Sequence, residues 1–135
     1  MPGLSDYAEK KVLDHILAKT AYPMPSGVYL ALFTADPTDA GSLTNEVSTA
    51  GTNYARVNVT SIMSATDATT GTSQNATAVS FASATASWGN ITWLGLFDAS
   101  SGGNMLFSGL ATNAKQIDVG DIYQMAAQQL TATLS

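Results

Sequence analysis

Two pairs of aspartates come closest, by type and spacing, to a site that could do chemistry. Asp36 and Asp39 are three residues apart in a segment rich in turn-forming residues, and Asp118 and Asp121 repeat that spacing near the C-terminus. Loop carboxylates are ligands that Ca²⁺ accepts, but a full site needs six or more oxygens. Aspartates in turns also accept hydrogen bonds from their own backbone. We expect this second role at both pairs.

Groups for acid–base or nucleophilic catalysis are scarce. His15 is the only histidine, and the chain has no cysteine, which excludes disulfides and thiolate metal sites. No serine stands in a Gly-x-Ser-x-Gly elbow. A hydrolase would need Asp118 and Asp121 together in a cleft. We therefore predict a protein that is not an enzyme and that uses neither a cofactor nor a metal.

Aromatic side chains are the remaining candidates for binding. Such rings could line a sugar-binding face, although rings in strands more often belong to a core or a subunit interface. The sequence leaves both alternatives open for Tyr29, Tyr54, Trp88, Trp93 and Tyr123.

Charge and composition exclude several classes of partner. The chain has five basic and ten acidic residues, a net charge of −5, and only 11% charged residues, whereas soluble domains average about 25%. Nucleic-acid binding needs clustered positive charge, and a membrane span needs about 18 apolar residues in a row. Neither is present, and we expect no export signal. The composition favours a structural or binding protein.

Residues 5–20 are predicted to form a single helix. Ser5 or Asp6 can cap its N-terminus, and Pro23 and Pro25 follow its end. Its apolar residues share one face, which we expect to pack on a sheet: Ala8, Val12, Leu13, Ile16 and Leu17. Three of the five basic residues lie in this segment, so the helix is our candidate docking element.

The rest of the chain has the pattern of an all-β structure. Residues 28–34 are apolar on both faces and predict a strand covered on both sides, by the helix and a second sheet. Residues 54–60 alternate as a half-buried strand, and residues 61–78 indicate a flexible loop or a loosely paired hairpin. Gly95 suggests a bulge or a close backbone approach inside the apolar segment 88–98, and residues 101–104 form a turn.

The spacing of the predicted strands and the length of the chain predict the fold class and the number of domains. Seven to eight short strands at intervals of 8–14 residues favour an antiparallel β-sandwich or barrel over residues 28–135. With 135 residues, the chain is predicted to be one domain, residues 1–135. No repeat of the kind that builds a long shaft is present.

Several segments resemble a family of small tailed-bacteriophage proteins that are often labelled tail-fibre-like. The similar pieces are residues 4–17, 28–34, 35–38, 54–56, 88–89, 95–98, 120–121 and 130–131. The resemblance implies a virion protein, assembled in the host cytoplasm, that contacts a major capsid or tail protein. It also implies a homo-oligomer, with a trimer as the expected state, and it brings no catalytic residues.

These observations predict a non-enzymatic structural protein of a tailed phage particle. It would be either a head decoration (cement) protein or a tail-fibre-type surface module, acting through subunit contacts. The alternative is a receptor-binding module that recognises host-surface carbohydrate through Trp88 or Trp93. The candidate interface residues are Tyr7, Lys10, Lys11, Arg56, Trp88 and Trp93.

Overall fold

The computed structural model describes residues 3–134. Outside the described residues lie Met1, Pro2 and Ser135, which belong to the ends of the predicted domain 1–135, and Ser135 also to the end of the predicted β region 28–135. Within 3–134 the elements are β1 (Gly3–Leu4), α1 (Asp6–Ile16), β2 (Tyr29–Phe33), β3 (Val57–Asn58), β4 (Thr72–Gln74), β5 (Val79–Ser80), β6 (Gly89–Phe97), β7 (Met105–Ile117), β8 (Gln124–Met125) and β9 (Thr131–Thr133). The predicted mainly β fold with antiparallel sheets and one N-terminal helix is confirmed, with slightly more strands than expected.

A long antiparallel hairpin forms the centre of the largest sheet. β6 and β7 pair along their lengths, with Leu96 opposite Phe107. Their connection includes the predicted turn at 101–104, and Asp98 N donates to Asn104 O across it at 3.1 Å. The other strands extend this hairpin on both sides, giving the antiparallel order β1-β7-β6-β2-β3.

Two short ribbons lie outside this sheet. β4 pairs with β9 and β5 pairs with β8, both antiparallel. Each ribbon joins segments more than 40 residues apart, so the C-terminal part of the chain returns to residues 72–80. The main hydrophobic core lies between the ribbons and one face of the large sheet, because it contains side chains from both.

For residues 61–78 the sequence left open a flexible loop or a loosely paired hairpin, and the structure has the hairpin. Met63 and Asn75 make an isolated antiparallel bridge. Next to it, Ser64 N donates to Gln74 O at 2.8 Å, and Ser73 Oγ donates to Ser64 O at 2.7 Å. The segment is therefore a short hairpin whose second arm includes β4.

Both faces of β2 are buried, as predicted. Leu30 and Leu32 enter the main core, and Ala31 and Phe33 enter a smaller cluster on the opposite face. The smaller cluster is completed by Phe97, Met105 and partly buried Trp93. The helix was expected to cover this second face, but it packs at the edge of the sheet, on β1 and β7.

Gly95 allows the two aromatic rings of the smaller cluster to approach the backbone of β6. A β-carbon at this position would lie 2.9 Å from Phe97 Cε1 and 3.0 Å from Phe33 Cε1. The predicted close approach is confirmed, and the register shifts of β6 lie on either side of this residue.

The helix begins at the predicted cap. Ser5 Oγ accepts from Ala8 N at 3.1 Å and also donates to the carbonyl of Met105. Ser5 N donates to Leu106 O at 2.9 Å, and Asp6 N donates to Asp39 O at 2.9 Å. One serine thus caps α1 and fixes it to the start of β7.

The predicted helix end and buried face are wrong. α1 ends at Ile16, not at residue 20, because Ala18 adopts a left-handed conformation with φ +59°. In the helix only Ala8 is buried, and Val12 is half-buried. Leu13, Ile16 and Leu17 are 57%, 69% and 56% exposed. Packing at the sheet edge leaves room for one narrow strip of the helix only.

Two strand predictions also need correction. The spacing predicted short strands throughout, but β7 runs continuously over 13 residues from Met105 to Ile117. The extra length is absorbed by a bulge, since Ile91 pairs with Lys115 whereas Trp93 pairs with Leu110. In the predicted strand 54–60 only Val57–Asn58 is a strand.

Candidate interaction surface

Three of the six predicted interface residues lie on α1. Tyr7 is half-buried, and its ring makes an edge contact with Tyr22 at 6.4 Å between centroids. Lys11 Nζ lies 5.6 Å from the centroid of the Tyr7 ring. Lys10 pairs with Asp14 one turn along at 2.6 Å, with its side chain 75% exposed. These contacts orient the lysines along the outer side of the helix.

Arg56, the fourth candidate, lies in the interior. Its guanidinium binds Glu46 in a bidentate pair, Nε to Oε2 at 2.8 Å and Nη2 to Oε1 at 2.7 Å. Its Nη1 donates to Ala99 O at 2.9 Å and to Gly102 O at 2.8 Å. The arginine thereby ties residues 46–56 to the β6–β7 turn. The sequence analysis expected Arg56 at an interface, and these contacts inside the chain were not anticipated.

Glu46 is a residue whose role the sequence analysis missed. Tyr54 donates its hydroxyl proton to Glu46 Oε2 at 2.7 Å and accepts from Leu32 N at 3.1 Å. Burial raises the pKa of the Tyr54 hydroxyl strongly, and the charge of Glu46 raises that pKa further. The one available signal was that Glu46 and Arg56 are rare charges, ten residues apart, in a chain with few ions.

Trp88, the fifth candidate, is also in the core. Its side chain is 4% exposed, and its Nε1 donates to Thr52 O at 2.8 Å. The ring makes edge contacts with Tyr54 at 5.4 Å and with Phe81 at 6.3 Å. Arg56 and Trp88 use their polar groups inside the chain, so the more accessible candidates are Tyr7, Lys10, Lys11 and Trp93.

Trp93 lines a groove at the junction of α1, β1 and β7. The groove encloses about 460 Å³ and is lined by Gly3, Leu4, Glu9, Asp36, Thr38, Asp39, Trp93 and Ser108. Three of these side chains are carboxylates, so the groove is acidic. It is an open depression with an aromatic wall, next to the N-terminal half of the helix.

One aspartate of each pair makes the turn contact that the sequence favoured. Asp36 Oδ1 accepts from Thr38 N at 2.7 Å, and Asp121 Oδ2 accepts from Asp118 N at 2.9 Å. His15 Nδ1 accepts from Tyr22 N at 3.0 Å at the end of the helix. Among residues 3–134 no group of three or more His, Asp or Glu side chains could hold a metal ion.

Three apolar side chains that were expected in the core lie at the surface. Leu13 and Ile16 on α1 and Leu17 directly after it form one apolar group, and Met24, further along the chain, is 90% exposed. Sequence reasoning treated the three helical residues as core, since apolar residues at helical spacing normally face inward.

The chain matches one family model over nearly its whole length. The model is described as Podophage GP4 fiber I protein gp80, and it covers residues 3–133. No curated protein matches the chain. In the part of the chain that the structure describes, no helix has the length and apolarity that a membrane span requires.

Proposed function

The chain belongs to the family of the podophage GP4 fiber I protein gp80, a family of structural virion proteins, and we propose that it is a fibre-type surface module of a tailed phage particle. It is a non-enzymatic part that works by contact with neighbouring subunits, either further copies of itself or other phage structural proteins. The observation that supports this most directly is the family match over residues 3–133.

The distribution of side chains supports a role in contact. One aspartate of each pair noted in the sequence, Asp36 and Asp121, accepts a hydrogen bond from its own turn. The buried ion pair of Arg56 and Glu46 holds loops together. The accessible features are instead the exposed apolar side chains Leu13, Ile16 and Leu17 and the groove beside Trp93. Exposed apolar side chains clustered on one element are typical of protein–protein contact.

Localisation on the particle tests this proposal. Mass spectrometry of gradient-purified virions is expected to detect the chain, and immunogold labelling is expected to place it at the tail. Labelling spread over the head would contradict the fibre role and favour head decoration. If purified virions lack the chain, the structural role itself is wrong.

The groove beside Trp93 supports a second candidate, a receptor-binding module for host-surface carbohydrate. A sugar ring presents an apolar face and several hydroxyls, and the groove offers an indole, carboxylate acceptors and hydroxyl groups. Glycan-array binding that is lost in Trp93→Ala, but kept in Val119→Ala, would favour this candidate. Val119 is a suitable control because it is exposed, follows the end of β7 and does not line the groove. The absence of array binding by the folded wild-type chain would remove it.

A further inference from the structure

Another groove lies between β7 and β8, away from the groove beside Trp93. It encloses about 400 Å³ and is lined by residues 112–115, residues 123–126 and Gln129. We call it the Tyr123 groove. None of its lining side chains is a carboxylate, although the chain as a whole has a net charge of −5. Its chemistry therefore differs from that of the acidic groove beside Trp93.

The hydroxyl of Tyr123 is an unused hydrogen-bonding group in this groove. The residue is only 6% exposed, and its ring makes an edge contact with Phe81 at 5.8 Å between centroids. Within residues 3–134 the hydroxyl has no hydrogen-bond partner, and no side-chain polar atom there is both fully buried and unpaired. The oxygen must therefore reach the surface, and the surface that Tyr123 lines is the groove. A ligand can pair with this hydroxyl without breaking a hydrogen bond of the fold.

The two strand segments that flank the groove are only partly paired. Residues 111–114 of β7 have no opposite residue in β6, and β1 pairs with β7 at residues 107–108 only. β8 pairs with β5 in a two-stranded sheet, so within the described chain its other edge has no partner strand. Unpaired strand edges are templates for the backbone of another extended chain.

Side-chain amides add to this capacity for hydrogen bonding. Asn113 and Gln129 are exposed, and within residues 3–134 neither side chain makes a hydrogen bond. An amide has both a donor and an acceptor, the same combination that a peptide group presents. The groove therefore offers a row of groups that match a polypeptide backbone.

We propose that the Tyr123 groove binds an extended peptide segment of another protein of the particle, one that is uncharged or acidic. The backbone of the segment pairs with the partly paired strands, as in strand addition to a sheet edge, and the hydroxyl of Tyr123 donates to one of its carbonyl groups. The inference rests on the proposed function, since it names one contact of the fibre module with a neighbouring protein.

Charge sets the preference for an uncharged or acidic segment. Lys115 is the only charged residue that lines the groove. Its Nζ donates to Ile122 O at 3.2 Å, directly before Tyr123 in the chain, so the ammonium group lies beside the groove. A carboxylate on the segment gains from this charge, and a basic side chain at the same place is repelled.

The lack of an accessible aromatic face favours a peptide over a sugar in this groove. The apolar face of a sugar ring packs well on the flat face of an aromatic side chain. Tyr123 is the only aromatic residue among those that line the groove, and its ring is buried against Phe81. Backbone pairing needs no such face.

Nuclear magnetic resonance titration of the complete ¹⁵N-labelled chain tests the proposal. The probe is a blocked pentapeptide of alternating threonine and alanine, which is uncharged. It is expected to shift the amide signals of residues 112–115 and 123–126 and to leave those of α1 unchanged. The same peptide with methylated backbone nitrogens lacks the protons for strand pairing and is expected to bind more weakly by about tenfold. No shifts with the unmethylated peptide at millimolar concentration, or equal binding of both peptides, would overturn the proposal.

The hydroxyl of Tyr123 is tested by its removal. Tyr123→Phe is expected to raise the dissociation constant of the pentapeptide by about threefold to tenfold, as loss of one hydrogen bond does. Tyr29→Phe is the matched control, because Tyr29 is half-buried on β2 and does not line the groove. The melting temperature of Tyr123→Phe should equal that of the wild type, since no hydrogen bond of the fold is lost. Unchanged peptide binding by Tyr123→Phe, or a strongly lowered melting temperature, would contradict the role of this hydroxyl.

Two further probes test the charge preference and the class of ligand. A pentapeptide with a central glutamate is expected to bind more tightly than one with a central lysine, and Lys115→Gln should abolish that difference. Maltopentaose that shifts the same signals, while the uncharged peptide does not, would overturn the proposal and assign the groove to carbohydrate.

The outcomes also separate this inference from the proposed function. A chain that is present in virions but binds no peptide would contradict the inference alone. A chain that binds the peptide as expected but is missing from virions would contradict the proposed function and leave the peptide site in place.

Discussion

The guanidinium of Arg56 lies over the ring of Phe97, with its central carbon 3.9 Å from the ring centroid. The arginine therefore joins three parts of the fold: the acidic side chain of Glu46, the carbonyl groups of the β6–β7 turn, and the aromatic cluster under β2. A charge in this position is tolerated because each of its donors that faces inward has an acceptor.

Removing this arginine is expected to destabilise the fold strongly. Arg56→Met leaves the carboxylate of Glu46, whose side chain is only 14% exposed, without its partner. Breaking a buried ion pair from one side costs about 3–5 kcal/mol, which urea unfolding would measure as a lower midpoint. The double variant Glu46→Gln with Arg56→Met serves as the control. Its loss of free energy of unfolding should be smaller than the sum of the losses in Glu46→Gln alone and Arg56→Met alone. A loss of under about 1 kcal/mol for Arg56→Met would mean that the pair behaves like a surface salt bridge.

The buried hydroxyl of Tyr54 is expected to lower the stability of the fold at alkaline pH. Burial and the charge of Glu46 raise the pKa of its hydroxyl above the ordinary value of 10.0, and burial raises the pKa of Tyr123 in the same direction. Above pH 10 the unfolded chain loses these protons first, so the contribution of the two tyrosines to the free energy of unfolding is expected to be constant below that pH and to fall above it.

The variant Tyr54→Phe separates this effect from general alkaline damage. It removes the ionisable group, so the free energy of unfolding should fall less steeply above pH 10 than in the wild type. At neutral pH the variant should lose about 1–2 kcal/mol, because Leu32 N then lacks its acceptor. Urea unfolding of the two proteins at several pH values measures these slopes. Equal slopes would contradict the assignment of the alkaline loss of stability to Tyr54.

Gly95→Ala is expected to lower the free energy of unfolding by about 1–3 kcal/mol, since overpacking a tight core costs that much. The added methyl group would press on the rings of Phe97 and Phe33. Gly3→Ala is the matched control, because nothing lies within 4 Å of a β-carbon there. Thermal melting of both variants measures the difference, and similar melting temperatures would show that the rings move aside freely.

Ser5→Ala is expected to loosen the helix from the sheet. The change removes the cap on Ala8 N and the hydrogen bond to Met105 O, and loss of a serine cap alone costs about 0.5–2 kcal/mol. Hydrogen exchange should become faster throughout α1 while exchange in β2 and β6 changes little. Ser5→Thr keeps the hydroxyl and serves as the control. Unchanged exchange in α1 after Ser5→Ala would contradict this role.

The sequence predicted those features of the fold that depend on local chemistry. Ser5 was a predicted cap, Gly95 was predicted as a point of close approach, and the apolar pattern of residues 28–34 predicted burial on both faces. Each of these follows from the steric or hydrogen-bonding properties of a few neighbouring residues, so a single chain contains enough information to infer it.

Features that depend on distant partners were not predicted. Arg56 was predicted at an interface, because the alternation of residues 54–60 does not show that Glu46 lies beside the guanidinium in the folded chain. The apolar residues Leu13 and Ile16 were assigned to the core because spacing indicates a shared face but not whether that face meets the chain itself. The extension of β7 through residues 108–114 was missed, since a bulge breaks the alternation that marks a strand.

The double attachment of Ser5 determines where a force on the helix would enter the sheet. Its backbone and side chain hold the beginning of α1 to Met105 and Leu106, at the start of the longest strand. A pulling force applied to the helix would pass through this point to β7 and load its ladder with β6 along the strand axis. Shear of that kind strains many hydrogen bonds at once, whereas peeling would strain them one after another.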